Sequence, residues 1–339
     1  MRPPDLDATA ADRFEVGLEN TRRYGDGTQI EYLADDTAIK AKCGLITGDL
    51  KGWTGVFNGN AGWVEAKRSM EVLGAYCSEH GVKFISGPSG VMKELIRDPQ
   101  TNAVLGVQAE DGSQHLAKCI VVATGAWSES LLDFEGQLFS GAYGFAHIQL
   151  TKEETEKYSS MPVLHAPNIG YCFPPTPDGI FKIANLTYTR TNYTSVNGRL
   201  VSFPRDRSLH PTDTLSEEGI AECRQIAQAC LPELGDRPII HSTMCWDTES
   251  IDFNWIVSPH PSSPSSLYIA TAGSGHSFKN LPVIGKYVCD CLEGRLPEDL
   301  RKTWRWRPDK VEGAPQLSRV DIKDQHGWRH DGRSEKEAV

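Results

Sequence analysis

The chain contains 339 residues, of which 39% are hydrophobic and 24% are charged, and a chain of this size can form one large globular domain or two smaller ones. Its formal net charge of -10 argues against a nucleic-acid partner, because phosphate groups need a basic binding face. No segment is apolar for long enough to span a bilayer, so we expect no membrane partner. The nine cysteines are scattered without metal-ligand spacing, which argues against a metal site or a disulfide scaffold and fits a reducing compartment.

The first part of the chain predicts alternating helices and strands. The sparse apolar face of residues 5–25 predicts one helix. Apolar residues at three- and four-residue spacing predict a clearer helix over 61–80, which Gly81 would end. We further predict a strand at 82–86, a hairpin formed by the runs GVMKELIRD and AVLGVQAE, and a buried strand at 119–125.

The middle of the chain has a different sequence pattern from the first part. Residues 146–205 alternate short strand-like runs with Pro- and Gly-rich turns, which predicts a mostly antiparallel sheet. A helix at 216–231, a buried strand at 266–273 and a helix at 281–292 follow. The charged stretch from Asp309 predicts a loosely held tail. Because strand–helix alternation returns after the antiparallel block, we predict two interleaved domains.

Two glycine turns follow predicted buried strands, in CIVVATGAW and LYIATAGSGHSFK. A strand that runs into glycine allows backbone N–H groups to approach a phosphate or a flavin without an intervening side chain. In open sheets ligands gather at the carboxyl ends of strands, so two such turns favour a cofactor site. The alternative is that each glycine only turns the chain.

Two lysines and one cysteine have side chains that could carry chemistry. Lys279 opens the helix after the second glycine turn and is either an anion-binding group or a solvated helix-start lysine. Lys182 alternates with Phe181 and Ile183, so it is either a partly buried cation beside reacting groups or an edge-strand lysine that faces water. Cys245, next to Trp246, is on its own best explained as a small buried hydrophobe.

Taken together, these residues resemble a known family. The chain resembles the flavin-linked amine oxidases of the sarcosine oxidase type, and within them the fungal fructosyl amino acid oxidases (amadoriases). The resemblance extends from about Lys51 to Trp328, and its most specific stretches are KGWTGVFNGNAGW, VVATGAWSESLLD, GFAHIQLT, SFPRDRSLHPTDT, MCWDTE, GSGHSFKNLPVIGK and TWRWRP.

The resemblance implies an α/β (α+β) fold with a discontinuous cofactor domain. An FAD-binding half related to the doubly wound dinucleotide fold is expected at 52–136 and 262–300, incomplete at its N-terminal end. It is interleaved with an antiparallel-sheet substrate domain at 1–51 and 137–261, and 301–339 would form the C-terminal tail.

The resemblance also implies roles for individual residues. Cys245 matches the cysteine joined through sulfur to FAD, and Lys182 matches the lysine that activates dioxygen. The segment that wraps the flavin and faces substrate corresponds to Gly273, Ser274, Gly275, His276, Phe278 and Lys279. The turn along the flavin nucleotide corresponds to Gly125, Ala126 and Trp127, and Val91 would contact the adenine side.

The implied reaction is the oxidation of a secondary amine. The amine gives a hydride equivalent to the covalent flavin and becomes an imine, which water hydrolyses, and dioxygen takes the electrons to form hydrogen peroxide. We expect a monomer whose partners are the amine and dioxygen. We expect it in the cytoplasm, with the peroxisome as the alternative, because no SKL-type peroxisomal address ends the sequence.

Two features depart from the family pattern. The sequence contains no GxGxxG loop, so we expect a weakened site for the diphosphate and an exposed sheet edge. Leu186 stands where fructosyl amino acid oxidases carry an acidic residue, which leaves room for an N-alkyl amino acid as substrate. Arg319 matches the arginine that binds the substrate carboxylate.

Two alternative functions remain. One is a shortened, non-catalytic relative of such an oxidase that does not hold flavin. The other is an NAD-dependent dehydrogenase, which the missing dinucleotide fingerprint and the cysteine both disfavour.

Overall fold

The computed structural model describes residues 1–6, 8–25, 29–186, 189–205, 210–211, 213–312 and 319–325. Its helices are α1 (Ala8–Tyr24), α2 (Asp36–Lys42), α3 (Ala66–Glu79), α4 (Ser128–Leu131), α5 (Lys152–Tyr158), α6 (Glu217–Cys230), α7 (Pro232–Gly235), α8 (Leu281–Leu292) and α9 (Glu298–Thr303). Within those ranges, none of the helices has the length and apolar character needed to cross a membrane.

The strands belong to five sheets. They are β1 (Ile30–Leu33), β2 (Gly55–Asn58), β3 (Met92–Arg97), β4 (Val104–Ala109), β5 (Gln114–Leu116), β6 (Ile120–Val122), β7 (Leu138–Gln149), β8 (Leu164–Ala166), β9 (Gly170–Cys172), β10 (Ile180–Asn185), β11 (Thr189–Thr191), β12 (Tyr193–Val196), β13 (Arg199–Ser202), β14 (Ile239–Ser250), β15 (Ile256–Pro259), β16 (Leu267–Thr271) and β17 (Arg319–Asp321). The largest sheet has seven strands and is built around β7.

The long strand β7 organises this sheet. It pairs antiparallel with β14 along one edge and with β10 and β11 along the other. Strands β9 and β8 extend the sheet beyond β10, and β17 adds in parallel beyond β11. The predicted antiparallel block is therefore confirmed.

The two faces of the seven-stranded sheet differ in burial. Along β7 the residues from Ala142 to Ile148 alternate between fully buried and half-buried positions, as expected when one face meets the core. Helix α6 packs on the buried face, where Cys223 and Ile226 join Phe181 in the main hydrophobic cluster. Each fully buried aliphatic side chain of this kind stabilises the fold by roughly 1.5–3 kcal/mol. The opposite face is only partly covered.

A smaller sheet has the order β15–β16–β6. Strand β6 runs parallel to β16, so their carboxyl ends, and the two glycine turns that follow them, lie side by side. Helix α8 packs beside β15. Neither α3 nor α8 has a buried side chain. Among the described residues β6 has one paired edge only, which agrees with the expected exposed sheet edge.

The predicted helices and the hairpin of β3 and β4 are confirmed, but three local predictions are wrong. Residues 82–86 form no strand, because an extended segment becomes a strand only when a neighbour accepts and donates its backbone hydrogen bonds. The strand predicted as buried at 119–125 is only partly buried, because Val122 is 2% exposed but Val121 is 36% exposed. The tail is not wholly loose, since Arg319–Asp321 pairs in parallel with β11 as β17. Residues 313–318 and 326–339 lie outside the described part.

Candidate active site

The half-open face of the large sheet carries two of the candidate residues, Lys182 and Cys245. Antiparallel pairing places Lys182 of β10 opposite His147 of β7, and Cys245 of β14 opposite Tyr143 of β7. Directly paired residues point to the same face of a sheet. Lys182 and Cys245, which are far apart in the sequence, therefore share one face.

Lys182 lies in the interior of the sheet. Strand β10 is flanked by β7 and β9, so the alternative of an edge-strand lysine is wrong. Its Nζ atom lies 4.3 Å from the ring centre of Phe145 and 5.5 Å from that of Phe173. Burial lowers the pKa of Lys182, although the nearby Cys245 sulfur acts in the opposite direction. The lysine is thus a desolvated cation stabilised by aromatic faces.

Cys245 reaches the surface from β14. Its side chain is exposed, so the prediction of a buried small hydrophobe is wrong. Enough protein nevertheless surrounds the sulfur that desolvation raises the pKa of the Cys245 thiol, while the Lys182 cation opposes this rise. The exposure of the residue matters more for function, because it leaves the sulfur accessible to a bound group.

The glycine loop after β16 is fixed against β14. Ala272, Ser274 and Gly275 have positive φ angles of 68°, 50° and 73°, a backbone region that non-glycine residues seldom adopt. The Asp247 carboxylate accepts a hydrogen bond from the Gly275 N–H. A Cβ atom built on Gly273 would lie 2.7 Å from an Asp247 oxygen. The glycine therefore permits a close approach that holds the loop beside the strand of Cys245.

The first glycine turn lies next to this loop. The Ser128 and Thr271 hydroxyls are 3.1 Å apart, which joins the segments after β6 and β16. Gly125 has a φ of 51°, and nothing lies within 4 Å of a Cβ atom built on it. The Ser140 hydroxyl donates to the Ala126 carbonyl at 2.5 Å and fixes the turn to β7. Trp127 is 45% exposed.

The segment after the glycine loop is more exposed. The His276 Nε2 atom lies 2.9 Å from the Phe253 carbonyl oxygen, and its ring stacks at 6.1 Å on Trp255. Phe278 and Lys279 are both exposed at the start of α8. Both the anion-binding and the solvated interpretation of Lys279 remain compatible with this position.

Three further predicted residues lie at the margins of the open face. Leu186 directly follows β10 and lines a cavity of about 600 Å³ together with Tyr143. The Arg319 guanidinium lies 3.5 Å from the ring centre of Phe139, a β7 residue on the same face as Tyr143. Val91 lies apart from this cluster, immediately before β3 in a separate sheet.

Sequence reasoning missed several residues of this face. The Tyr143 hydroxyl donates to Glu249 at 2.9 Å and accepts from Thr189 at 3.1 Å, and burial raises the pKa of Tyr143. The sequence did not indicate Phe145 or Asp247 as site residues either. Asp247 follows Cys245 by two residues in a strand, and that alternation could have identified it. The partners of Lys182 and Tyr143 depend on strand pairing, which the sequence does not display.

These features fit a planar, partly apolar cofactor such as a flavin. The surface over Gly125 is free of side chains, and the neighbouring Trp127 and Phe278 present exposed aromatic rings. The groups that would hold a flavin are Cys245, the turn Gly125–Trp127 and the loop at 273–278. The sequence offers no GxGxxG cradle for the diphosphate.

Comparison with known proteins also leads to a family that uses a flavin cofactor. The sequence profile of the FAD dependent oxidoreductase family (DAO) matches residues 5–291. L-saccharopine oxidase of Schizosaccharomyces pombe is 30% identical over 331 residues, which cover 91% of this chain and 75% of that protein. The fructosyl peptide oxidase of E. terrenum superposes with a TM-score of 0.86 at 31% identity, over 96% of this chain and 77% of that one. Amadoriase II of Aspergillus fumigatus superposes with a TM-score of 0.81 at 26% identity, over 91% and 76% of the two chains.

Proposed function

Because the chain belongs to the FAD dependent oxidoreductase family, we propose that it is an oxidase of secondary amines, either fructosyl amino acids or N-alkyl amino acids, with dioxygen as electron acceptor. One observation carries this proposal. A desolvated lysine held against aromatic rings shares a sheet face with an exposed cysteine, and the two glycine turns of the neighbouring sheet are hydrogen-bonded to the strands β14 and β7 of that sheet. The names of the similar proteins support it, since they are called oxidases of saccharopine and of fructosyl peptides.

The overall reaction is a two-electron oxidation. The carbon beside the amine nitrogen loses a hydride and the nitrogen loses a proton, which leaves an imine that water hydrolyses to a carbonyl compound and a primary amine. Dioxygen gains the two electrons and two protons and becomes hydrogen peroxide. A bound flavin supplies the two-electron carrier between the amine and dioxygen.

The residues of the chain would bind and orient the reactants. Lys182 would place a positive charge where dioxygen gains electrons, and the surrounding rings would keep water away from it. Cys245 would form a thioether to the 8-methyl carbon of the flavin, because its sulfur is accessible. The thiol S–H bond and one methyl C–H bond would break, and the two electrons would reduce the flavin and then pass to dioxygen, which would become hydrogen peroxide. Lys279 and Arg319 are the cations available for a substrate carboxylate.

Retention of flavin by denatured protein tests the covalent bond. The purified chain is precipitated with acid and the pellet is examined for flavin absorbance and for the added mass of FAD. We expect both in the unmodified chain and their loss in Cys245→Ser. The matched control is Cys289→Ser, which alters another exposed cysteine, on α8, and should retain the flavin.

Two results would contradict the proposal. A folded but colourless protein that stays colourless after incubation with FAD would favour the non-catalytic alternative. Bound flavin without peroxide release from any secondary amine would exclude the oxidase function while leaving the cofactor assignment intact.

A further inference from the structure

Two adjoining cavities lie beside the open face of the large sheet. The cavity at Leu186 and Tyr143 has a volume of about 600 Å³. A second cavity of about 500 Å³ extends from it between α2 and residues 161–165. The two share four lining residues, which are Phe14, Val56, Asn58 and His165. A group bound at the sheet face could therefore extend from the first cavity into the second.

The lining of both cavities is mainly apolar. The apolar part of the first cavity includes Leu18, Ile30 and Leu186, and that of the second includes Phe57 and Trp63. The polar lining residues of the first cavity are Thr21, Asn58, Tyr143, His165 and Asn168. Among the described lining residues none is acidic. A polyhydroxylated group would lose water here without enough replacement partners, at about 1–3 kcal/mol for each unpaired hydroxyl.

The first cavity also has polar lining residues, and several of their groups are engaged: the Thr21 hydroxyl donates to the Gly17 carbonyl and the Tyr143 hydroxyl donates to Glu249. The Lys42 ammonium lies 2.5 Å from a Glu31 carboxylate oxygen and 4.2 Å from the ring centre of Phe57. Burial lowers the pKa of His165 to about 4, so its imidazole is neutral near pH 7. The N-terminal amine of Met1 donates to the His165 carbonyl at 2.6 Å. These groups therefore offer little to an anionic or sugar-like substituent.

We propose that the substrate is an amino acid whose secondary amine carries a bulky apolar N-substituent, alkyl or aryl, that occupies these cavities. This inference rests on the proposed function and selects one of its two substrate classes. Burial of an aryl or alkyl group against Leu18, Ile30 and Leu186 is favourable in proportion to the apolar area removed from water. A fructosyl group gains nothing comparable from this lining.

Helix α1 provides a way to fill the first cavity. Gly17 lines it, and nothing lies within 4 Å of a Cβ atom built on this residue. Gly17→Phe therefore places a ring in the cavity without a clash at Cβ. The matched control is Gly74→Phe on α3, where a Cβ atom also meets nothing within 4 Å and no wall of either cavity is altered.

The kinetic test compares kcat/KM for N-benzylglycine, N-methylglycine, N-fructosylglycine and saccharopine. We expect N-benzylglycine to exceed the other three by about tenfold or more in the unmodified chain. Gly17→Phe should lower the ratio of N-benzylglycine to N-methylglycine by about tenfold, and Gly74→Phe should preserve it. A preference for N-fructosylglycine or saccharopine, or an unchanged ratio in Gly17→Phe, would overturn the inference while the oxidase function stands.

A second substitution tests the chemistry of the wall. Leu186→Glu places a carboxylate in the cavity and should reduce the use of N-benzylglycine relative to N-fructosylglycine. Leu200→Glu is the matched control, because Leu200 is 72% exposed on β13 and away from both cavities. Equal effects of the two substitutions would count against the inference.

A binding experiment separates this inference from the oxidase function. (Benzylthio)acetate has a thioether in place of the amine and cannot be converted to an imine. Its binding can be followed as the part of the tryptophan fluorescence change that Trp63→Phe removes, because Trp63 lines the second cavity. Binding that Gly17→Phe abolishes and Gly74→Phe preserves would support the cavity assignment even if no amine were oxidised. Absence of binding to the folded protein would overturn it.

Discussion

Burial moves the protonation equilibria of two side chains, Lys182 and Glu129, toward their neutral forms. Lys182 is partly buried between aromatic rings on the open sheet face. Glu129 on α4 is only 7% exposed, and burial raises its pKa to about 8 despite the opposing charges of Arg199 and Arg319. The consequences differ, because the first group is proposed to act in the reaction and the second acts on stability.

For Lys182 we predict a pH dependence of the reaction with dioxygen. The lysine pKa is lowered, mainly by burial, so the cation is lost as pH rises through a value below the ordinary 10.5 of lysine. The rate of flavin reoxidation should fall over the same range. Lys182→Met should reduce this rate by about 10²–10³-fold at neutral pH and abolish its pH dependence, as stopped-flow absorbance would measure.

Lys182→Arg tests whether loss of the charge causes the decline at high pH, because a guanidinium stays charged at all accessible pH values. It should retain part of the rate and lose the decline at high pH. The neighbouring His147, whose own pKa is lowered by burial and by the His241 and Lys182 charges, titrates at lower pH. Reoxidation rates that do not differ between the unmodified chain and Lys182→Met would refute an oxygen-activating role.

For Glu129 we predict a stability effect that grows with pH. The folded-state pKa of about 8 lies above the ordinary glutamate value of 4.5, so the folded protein holds a proton that the unfolded chain releases. Stability is therefore greatest below about pH 4.5 with respect to this group and declines as pH rises to about 8. Glu129→Gln should remove this decline and stabilise the protein at pH 9 by about 2–4 kcal/mol.

Urea unfolding at pH 5 and pH 9 would measure the Glu129 effect. Glu156→Gln is a suitable control, because Glu156 is an exposed residue of α5. An equal response of the two variants to pH would show that the Glu129 carboxyl is already ionised in the folded protein at neutral pH.

At the scale of elements, an ion pair between the buried Arg307 and the partly exposed Asp252 links the TWRWRP segment to the loop before β15. The fully buried Arg307 forms two hydrogen bonds with Asp252, at 2.6 and 3.0 Å. Burial alone would raise the pKa of Asp252, but hydrogen bonds from Arg307 and from the Asn254 backbone outweigh it and hold that pKa far below its usual range. The Phe253 carbonyl of the same loop contacts His276, so this pair also supports the glycine loop.

We therefore predict that Arg307→Met destabilises the protein by about 1.5–3 kcal/mol, because it removes two charged hydrogen bonds, while the partly exposed Asp252 keeps Lys310 at 3.2 Å. Urea unfolding followed by tryptophan fluorescence would measure the change. Arg301→Met alters an exposed arginine of α9 and should cost less than about 0.5 kcal/mol. A similarly small loss in Arg307→Met would mean that the pair contributes little.

The sequence predicted the helices better than it predicted which strands pair with each other. The helices α1, α3, α6 and α8 follow from apolar spacing and glycine stops, which are local signals. The pairing of β7 with β14, which places Cys245 opposite Tyr143, joins segments far apart in the chain, and no local pattern encodes it. The strand wrongly predicted at 82–86 has the same cause. Its apolar residues follow a strand-like pattern, but in the described part of the chain no strand forms there. The roles proposed for Cys245 and Lys182 depend on the resemblance, and they stay predictions.

At the scale of the whole molecule, apolar side chains remain uncovered along α3, residues 82–86 and β6. Val72, Tyr76, Phe84 and Val121 are 63%, 57%, 65% and 36% exposed, and α3 buries no side chain at all. Soluble monomers rarely expose large apolar patches. An unpaired strand edge such as that of β6 also favours association between chains.

We predict that the isolated chain binds a hydrophobic dye such as ANS and self-associates when concentrated, so that the expected monomer holds only in dilute solution. The double variant Val72→Ser/Phe84→Ser should lower dye fluorescence about twofold or more and shift sedimentation toward monomer, since it removes apolar area from this surface. The matched control, Val16→Ser/Leu200→Ser, removes two equally exposed apolar side chains that lie elsewhere and should change neither signal appreciably. If the two double variants behaved alike, dye binding would reflect scattered apolar residues. If the unmodified chain bound no dye and sedimented as a monomer at high concentration, these surfaces would have to be covered in solution.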